Sequence, residues 1–180
     1  MKVDRMRAEL WRVSTRGSKA LAAAVLVAGA MVALSGTLLA QVVRIPLTNS
    51  TFPISQGVWV GDTLYLSGML DPNLGKGITS DTKTQTVNAI VSIQHALEAQ
   101  KLSLADVVMM HVYLVGDPAK QGAMDFSGFM EGYTEFFGTK SQPNKPARSA
   151  MQVAHLASPN ALVEIEVIAV RSHVKGKSGK

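Results

Sequence analysis

The chain has 180 residues, enough for one domain with a short segment at either end. Hydrophobic residues make up 47% of it and charged residues 17%, a balance typical of globular and not of disordered proteins. It has no cysteine, so disulfides, thiolate nucleophiles and cysteine-ligated metal centres are excluded.

The net charge of +5 is concentrated at the two ends of the chain. Residues 1–19 carry six cations and two acids, and residues 171–180 carry four cations and no acid. Subtracting these two surpluses of +4 each leaves −3 for residues 20–170. A mildly acidic body lacks the basic surface that a phosphate backbone requires, so no nucleic-acid partner is expected.

The first forty residues are typical of an export signal. Residues 20–34 are uncharged and almost wholly apolar, they follow a basic leader, and Ala40 suits the position before a signal-peptidase cut. Leu38 is bulky for such a site, so an uncleaved anchor is the alternative. Residues 20–43 carry no charge and, at about 1.5 Å each, are long enough for a bilayer of about 30 Å. Both interpretations place the domain outside the cytoplasm, in the periplasm or secreted.

The next segment, residues 41–171, is predicted to form one α+β domain, followed by a basic flexible tail over residues 172–180. Residues 44–56 contain two prolines and are expected to be irregular. Two β-rich runs at 58–60 and 63–66 meet at a Gly-Asp pair, which predicts a hairpin.

The periodicity of apolar residues predicts the elements that follow. They are a helix over 82–100, a long apolar central strand over 107–114, a second helix over 126–137, and strands over 151–156 and 162–170. Asp81 is placed to cap the first helix. The order ββαβαββ predicts one mixed sheet with two helices packed on one face. The other face would need cover, so an oligomer is expected.

Two glutamates near the C-terminus are candidates for chemistry. Strand alternation places Glu164 and Glu166 on the face opposite Val163 and Ile165. One interpretation is the solvated end of an antiparallel strand. The other is a carboxylate at a pocket or subunit interface, acting on a proton or a water molecule.

Arg148 is the candidate counter-charge. Only two other cations, Lys140 and Lys145, occur within residues 121–170. A guanidinium can hold a carboxylate through two parallel hydrogen bonds, which a lysine cannot do. The alternative is a surface arginine in an ordinary ion pair.

Other chemistry-bearing residue types point to no site. The histidines lack the spacing of metal ligands, so no metal site is predicted. His111 lies within an apolar run and is interpreted as a hydrogen-bonded core or interface residue. Ser67 has no local base, so it is interpreted as a pocket hydroxyl and not as a nucleophile.

Several short motifs together resemble the reactive intermediate deaminase family, also called RidA or YjgF. They are Leu66-Ser67-Gly68, residues 84–90, Asp106-Val107-Val108 leading to Val112-Tyr113-Leu114, residues 133–137, Pro146-Ala147-Arg148-Ser149 and residues 163–170. The resemblance runs from about residue 52 to residue 171, in the order and spacing of the family.

The resemblance implies a chorismate-mutase-like fold and a homotrimer with pockets in the clefts between subunits. It also implies hydrolysis, without a cofactor, of 2-imino acids or their enamine tautomers to 2-keto acids and ammonia. By position, Arg148 matches the arginine that binds the substrate carboxylate, and Glu166 matches the glutamate that orients or activates the attacking water. Ser67 and Gly68 match a pair that lines the pocket.

Three positions depart from the family pattern. Ile54 stands where a pocket tyrosine is found, Met130 where an asparagine is found, and Ala150 where a cysteine is common. These replacements make the expected pocket more apolar, so it is expected to accept a different substrate or to bind its ligand without catalysis. The sequence therefore predicts a deaminase that binds small 2-imino or 2-keto acids, with a non-catalytic carboxylate-binding trimer as the alternative. A ribonuclease is disfavoured by the net charge of −3.

Overall fold

A computed structural model describes residues 41–48, 50–77 and 80–172. The predicted leader over residues 1–40 lies outside this part of the chain, as does all but the first residue of the predicted tail. Export, anchoring and the flexible tail therefore stay predictions. Within the described ranges, no helix combines the length and the apolar character that crossing a bilayer requires.

The described residues form six strands and two helices. They are β1 (Val42–Pro46), β2 (Ser55–Val60), β3 (Thr63–Met69), α1 (Thr82–Ala99), β4 (Val107–Val115), α2 (Phe126–Tyr133), β5 (Ala147–Val153) and β6 (Val163–Val170). Short 3₁₀ turns at Leu104–Asp106 and Pro118–Lys120 flank β4.

The strands form one mixed sheet in the order β1-β2-β3-β6-β4-β5. All neighbours pair antiparallel except β4 and β5, which are parallel. The long apolar strand β4 is interior, as predicted, but β6 is nearer the middle because it pairs with both β3 and β4.

The core lies between the sheet and the two helices. Along β6, Val163, Ile165, Val167 and Ala169 are buried, while the residues between them are partly exposed. The fully buried side chains that complete the core are Leu64, Ile90, Ile93, Leu97, Met110, Val112, Leu114 and Phe129. Burying each large apolar side chain stabilises the fold by about 1.5–3 kcal/mol. The predicted mixed sheet with both helices on one face is confirmed, and the opposite face is called the open face below.

Helix α1 is tied to the strand that carries the two glutamates. The Asp81 side chain accepts a hydrogen bond from the Thr84 backbone N–H at 2.8 Å, so the predicted cap is confirmed. The buried Gln85 side chain donates to the carbonyl of Asn160 and accepts from the backbone N–H of Leu162 at 2.7 Å. These bonds hold the segment before β6 against the first turn of α1.

The region expected to be irregular, residues 44–56, is so only in part. The described residues from 47 to 54 lie outside any strand or helix, but the expectation was wrong at the two ends, where β1 and the start of β2 lie. Residues 42–46 pair antiparallel with β2 at the edge of the sheet. The register shifts between Ile45 and Pro46. A proline is tolerated there because an edge strand has ladder hydrogen bonds on one side only.

Two other predicted boundaries were wrong. Helix α2 ends at Tyr133 and not at Phe137, although the Phe137 ring is buried and stacks on Tyr133 with the centroids 4.9 Å apart. The spacing of the aromatic residues therefore correctly indicated that Phe137 is buried, but not that it lies outside the helix. Strand β5 occupies residues 147–153 instead of 151–156, because its pairing with β4 begins at Ala147.

Candidate functional site

Arg148 lies on the helix-covered face of the sheet. It is in register with Met110, which is fully buried in the core. The guanidinium carbon of Arg148 lies 4.4 Å from the ring centroid of Tyr133, 5.0 Å from that of Phe129 and 5.9 Å from that of Phe126. These cation–π contacts hold the guanidinium of Arg148 against the aromatic rings of α2.

The hydrogen-bonding edge of this guanidinium is not satisfied by the protein. Its Nη1 atom is buried and has no hydrogen-bond partner within the described residues. A buried donor without an acceptor is unfavourable, and charge-assisted hydrogen bonds to an anion would remove that penalty. Arg148 is therefore suited to bind a carboxylate.

Arg148 opens into a cavity of about 470 Å³, named here the arginine pocket. Its lining residues are Met130, Tyr133, Thr134, Phe137, Gly138, Lys145, Pro146 and Arg148. Two residues singled out from the sequence, Met130 and Arg148, thus line the same pocket. Ala150, two positions along β5 from Arg148, is partly buried against the core on the same face.

Glu166 lies on the open face, in register with His111 of β4. Its Oε1 atom is 2.7 Å from Nδ1 of His111 and accepts a hydrogen bond from the Tyr113 hydroxyl at 3.1 Å. An ionised carboxylate only accepts hydrogen bonds, so Nδ1 carries the hydrogen of this contact. The Oε2 atom has no such partner among the residues described, which leaves it available to a water molecule or a substrate.

Glu164 lies beside this group and differs from Glu166 in its surroundings. Burial raises the pKa of the Glu164 carboxyl, and the negative charge of Glu166 raises it further. Burial also raises the pKa of Tyr113, followed by its hydrogen bond to Glu166 and the charges of both glutamates. Tyr113 therefore stays a neutral donor at ordinary pH, and Glu164 holds its proton more readily than an exposed carboxyl does.

Ser67 and Gly68 lie next to the two glutamates. The β3–β6 register shifts between Leu66 and Met69, so this pair sits at an irregularity opposite β6. The Ser67 hydroxyl donates to the carbonyl of Ser55 at 2.8 Å. A Cβ atom on Gly68 would overlap with the carboxylate of Glu164, so only glycine allows this close approach.

Ile54 precedes Ser55 directly, and its side chain is 56% exposed. It therefore lies at the same end of β2 as the carbonyl that Ser67 contacts. Together, Ser67, Gly68, His111, Tyr113, Glu164 and Glu166 form what is named here the carboxylate patch.

The arginine pocket and the carboxylate patch lie on opposite faces of one sheet. Arg148, Met110 and Val167 share one row across β5, β4 and β6, with the core on their side. The adjacent row is Ser149, His111 and Glu166, whose side chains alternate to the open face. Within one chain, Arg148 is therefore not the counter-charge of the glutamates.

Two functional candidates were missed or underrated in the sequence. Tyr113 was taken only as a strand residue, and His111 as a core or interface residue. Their position two residues apart on one strand was a signal that they share a face, but the contact with Glu166 depends on the pairing of β4 with β6. In the described ranges, no group of three or more His, Asp or Glu side chains is arranged to hold a metal ion.

Comparisons with known proteins show which family the chain is similar to. The family model described as "Endoribonuclease L-PSP" matches residues 47–171. A RutC family protein of Saccharolobus solfataricus is 39% identical over 67% of this chain and 88% of its own length. A Dermatophagoides farinae protein named 2-iminobutanoate/2-iminopropanoate deaminase is 32% identical over 72% and 95%. The crystal structure of E. coli TdcF with bound serine is 31% identical, with a TM-score of 0.57 over 72% and 94%.

Proposed function

Since the chain belongs to the endoribonuclease L-PSP family, the RidA or YjgF family that its motifs resemble, we propose that it hydrolyses 2-imino acids or their enamine tautomers to 2-keto acids and ammonia. The relatives named 2-iminobutanoate/2-iminopropanoate deaminase support this reaction class. The serine bound to TdcF supports a ligand with an α-carboxylate.

Arg148 and Glu166 lie on opposite faces of the sheet, and this observation carries the proposal that the reaction takes place between two copies of the chain. A substrate of a few carbon atoms cannot reach both side chains of one chain. The open face also exposes apolar side chains, with Val60 37%, Tyr65 46% and Met151 42% accessible, which favours its burial against another copy. In a homotrimer with rotational symmetry, each cleft would join the arginine pocket of one copy to the carboxylate patch of the next.

In this reaction the protein has to position the substrate and a water molecule and to transfer protons. Arg148 would bind the α-carboxylate and orient the imine carbon, which is already electrophilic. Glu166, with Oε1 held by His111 and Tyr113, would take a proton from the attacking water through Oε2. A C–O bond forms, and the imine nitrogen takes up the proton that the water gave to Glu166, which yields a hydroxy-amine adduct. The new hydroxyl then loses its proton, and Glu164, beside Glu166 on the same face, would pass this second proton to the nitrogen. The C–N bond breaks as the C=O bond forms, so ammonia and a 2-keto acid leave and both glutamates return to their starting state.

A second candidate is a trimer of the same fold that binds small carboxylates without catalysis. Its support is the apolar character of Ile54, Met130 and Ala150. Met130 lines the arginine pocket itself, where it offers no hydrogen bond to a substrate nitrogen or a water. Carboxylate binding at Arg148 is common to both candidates, and only turnover separates them.

Turnover is tested with 2-iminopropanoate made in place by an amino-acid oxidase. The chain lacking residues 1–40 is expected to accelerate its decay to pyruvate, and Arg148→Ala and Glu166→Gln are expected to lose this acceleration. No acceleration of any of several imino acids, with pyruvate binding retained, would establish the non-catalytic candidate instead.

The site between copies is tested by mixing. In trimers co-assembled from equal amounts of Arg148→Ala and Glu166→Gln chains, about a quarter of the clefts pair an intact arginine with an intact glutamate. Activity should return to about that fraction of the wild-type value. The control mixes Arg148→Ala with the double variant, where no cleft is complete. If the first mixture is as inactive as the control, the site does not lie between copies.

A further inference from the structure

The arginine pocket contains a second cation, Lys145. Lys145 and Arg148 line the same cavity, three positions apart, with the buried Pro146 between them. The aliphatic stem of Lys145 passes over Gly138, where a Cβ would lie 2.9 Å from Lys145 Cε. Gly138 has φ of 74°, a conformation that favours glycine, so the turn after α2 both accepts this backbone and leaves room for the stem.

Neither cation has a negative partner in the described part of the chain. None of the residues that line the cavity is aspartate or glutamate, and neither Lys145 nor Arg148 makes an ion pair there. Two other lysines of the described residues do pair, Lys83 with Glu131 and Glu135, and Lys120 with Asp125. Two positive charges in one cavity repel each other, and a ligand with two negative charges relieves that repulsion.

Much of the remaining cavity wall is apolar or aromatic. Met130, Tyr133 and Phe137 present apolar or aromatic surface to the cavity. A ligand with two carboxylates joined by a short hydrocarbon segment matches this combination of two cations and apolar surface.

From this arrangement we infer the substrate class: the arginine pocket takes 2-imino dicarboxylates, with the α-carboxylate on Arg148 and the side-chain carboxylate on Lys145. The inference rests on the proposed deaminase function and deepens it. The reaction stays a hydrolysis, in which water is consumed, ammonia is released and the second carboxylate is unchanged. The product is a 2-keto dicarboxylate.

The kinetic test compares 2-iminosuccinate with 2-iminopropanoate, both generated by amino-acid oxidases. The wild type is expected to show a kcat/KM about fivefold higher for the dicarboxylate, as one additional partly exposed ion pair allows. Lys145→Met keeps the length of the stem but removes its charge, and should bring that ratio to about one. Lys140→Met is the matched control, because Lys140 is exposed, lies in the same loop and does not line the cavity. The inference is overturned if the wild type shows no preference or if both variants behave alike.

A binding test separates failure of this inference from failure of the deaminase proposal. Oxaloacetate and pyruvate are titrated calorimetrically into wild-type and Lys145→Met protein. Tighter oxaloacetate binding that Lys145→Met abolishes, in a protein that hydrolyses no imine, would refute the deaminase and keep the ligand class. Imine hydrolysis with equal binding of the two keto acids would refute the ligand class and keep the deaminase.

Discussion

The Nδ1 atom of His111 lies 2.7 Å from the Oε1 atom of Glu166, across the neighbouring strands β4 and β6. The Tyr113 hydroxyl donates to the same oxygen. Both donors therefore act on one side of the carboxylate and turn its other oxygen, Oε2, away from them. In the proposed reaction this contact would orient the carboxylate, so we predict that His111 acts as a positioning residue.

Replacing His111 tests this orientation. His111→Phe keeps a planar ring but removes the donor, and it is expected to lower kcat for imine hydrolysis about tenfold with little change in KM. In His111→Asn the side-chain N–H₂ occupies the place of Nδ1, so most of the rate should return. Steady-state kinetics on 2-iminopropanoate measures both. Equal losses in the two variants, or a change in KM alone, would contradict a positioning role.

Removing the guanidinium of Arg148 tests the carboxylate site directly. Arg148→Met is expected to weaken pyruvate binding by about tenfold to a hundredfold, because a charge-assisted bidentate contact is lost. Calorimetric titration measures the affinity. The matched control is Arg171→Met, since Arg171 also lies over an aromatic ring, 4.3 Å from that of Trp59, but does not line the pocket. If both variants bind pyruvate as the wild type does, Arg148 is not the carboxylate ligand.

A methyl group on Gly68 is expected to displace the Glu164 carboxylate. Gly68→Ala should lower the free energy of unfolding by up to about 1 kcal/mol, because the Glu164 side chain that must move is flexible and partly exposed, and it should also lower kcat. Glu164→Ala combined with Gly68→Ala removes the overlap, so the double variant should be more stable than the two single effects together imply. Thermal or denaturant unfolding of all four proteins measures this coupling. Purely additive effects would show that the overlap is not the cause.

The raised pKa of Glu164 predicts a pH-dependent effect on stability. Burial, with a contribution from Glu166, makes the folded state hold the Glu164 proton more tightly than the unfolded state does. The wild type therefore loses stability as pH rises from the unfolded pKa through the higher folded pKa. The glutamine of Glu164→Gln stays neutral, so the melting temperature of this variant should be higher than that of the wild type at about pH 7. The difference in melting temperature should be smaller below about pH 4.

Thermal unfolding of Glu164→Gln is measured at several pH values beside Glu98→Gln, which replaces an exposed carboxyl on α1. The other ionisable side chains near Glu164 are those of Glu166, His111 and Tyr113, and they are present in the wild type and in both variants. A gap that is the same at low and neutral pH, or a Glu164→Gln variant that is less stable at neutral pH, would contradict the assigned cause.

Local pattern was sufficient for much of the fold. The alternation along β6 correctly separated the buried Val163 and Ile165 from the glutamates, and Asp81 correctly marked the start of α1. These features depend on neighbours within one or two turns of the chain, which the sequence displays directly. Strand β1 and the first half of β5 were missed because each is stabilised by pairing with residues distant in sequence. Their own residues carry proline or charge, which weakens the local signal.

The sequence by itself determined the family, the type of sheet and the two residues, Arg148 and Glu166, on which the proposed chemistry depends. Only the tertiary structure decided that these two residues lie on opposite faces, that His111 and Tyr113 hold one oxygen of Glu166, and that Lys145 enters the pocket of Arg148. The physical reason is the register of strand pairing. Which face of the sheet a side chain occupies depends on how its strand pairs with the neighbouring strands, and a shift of one residue in that pairing would move every side chain of the strand to the other face.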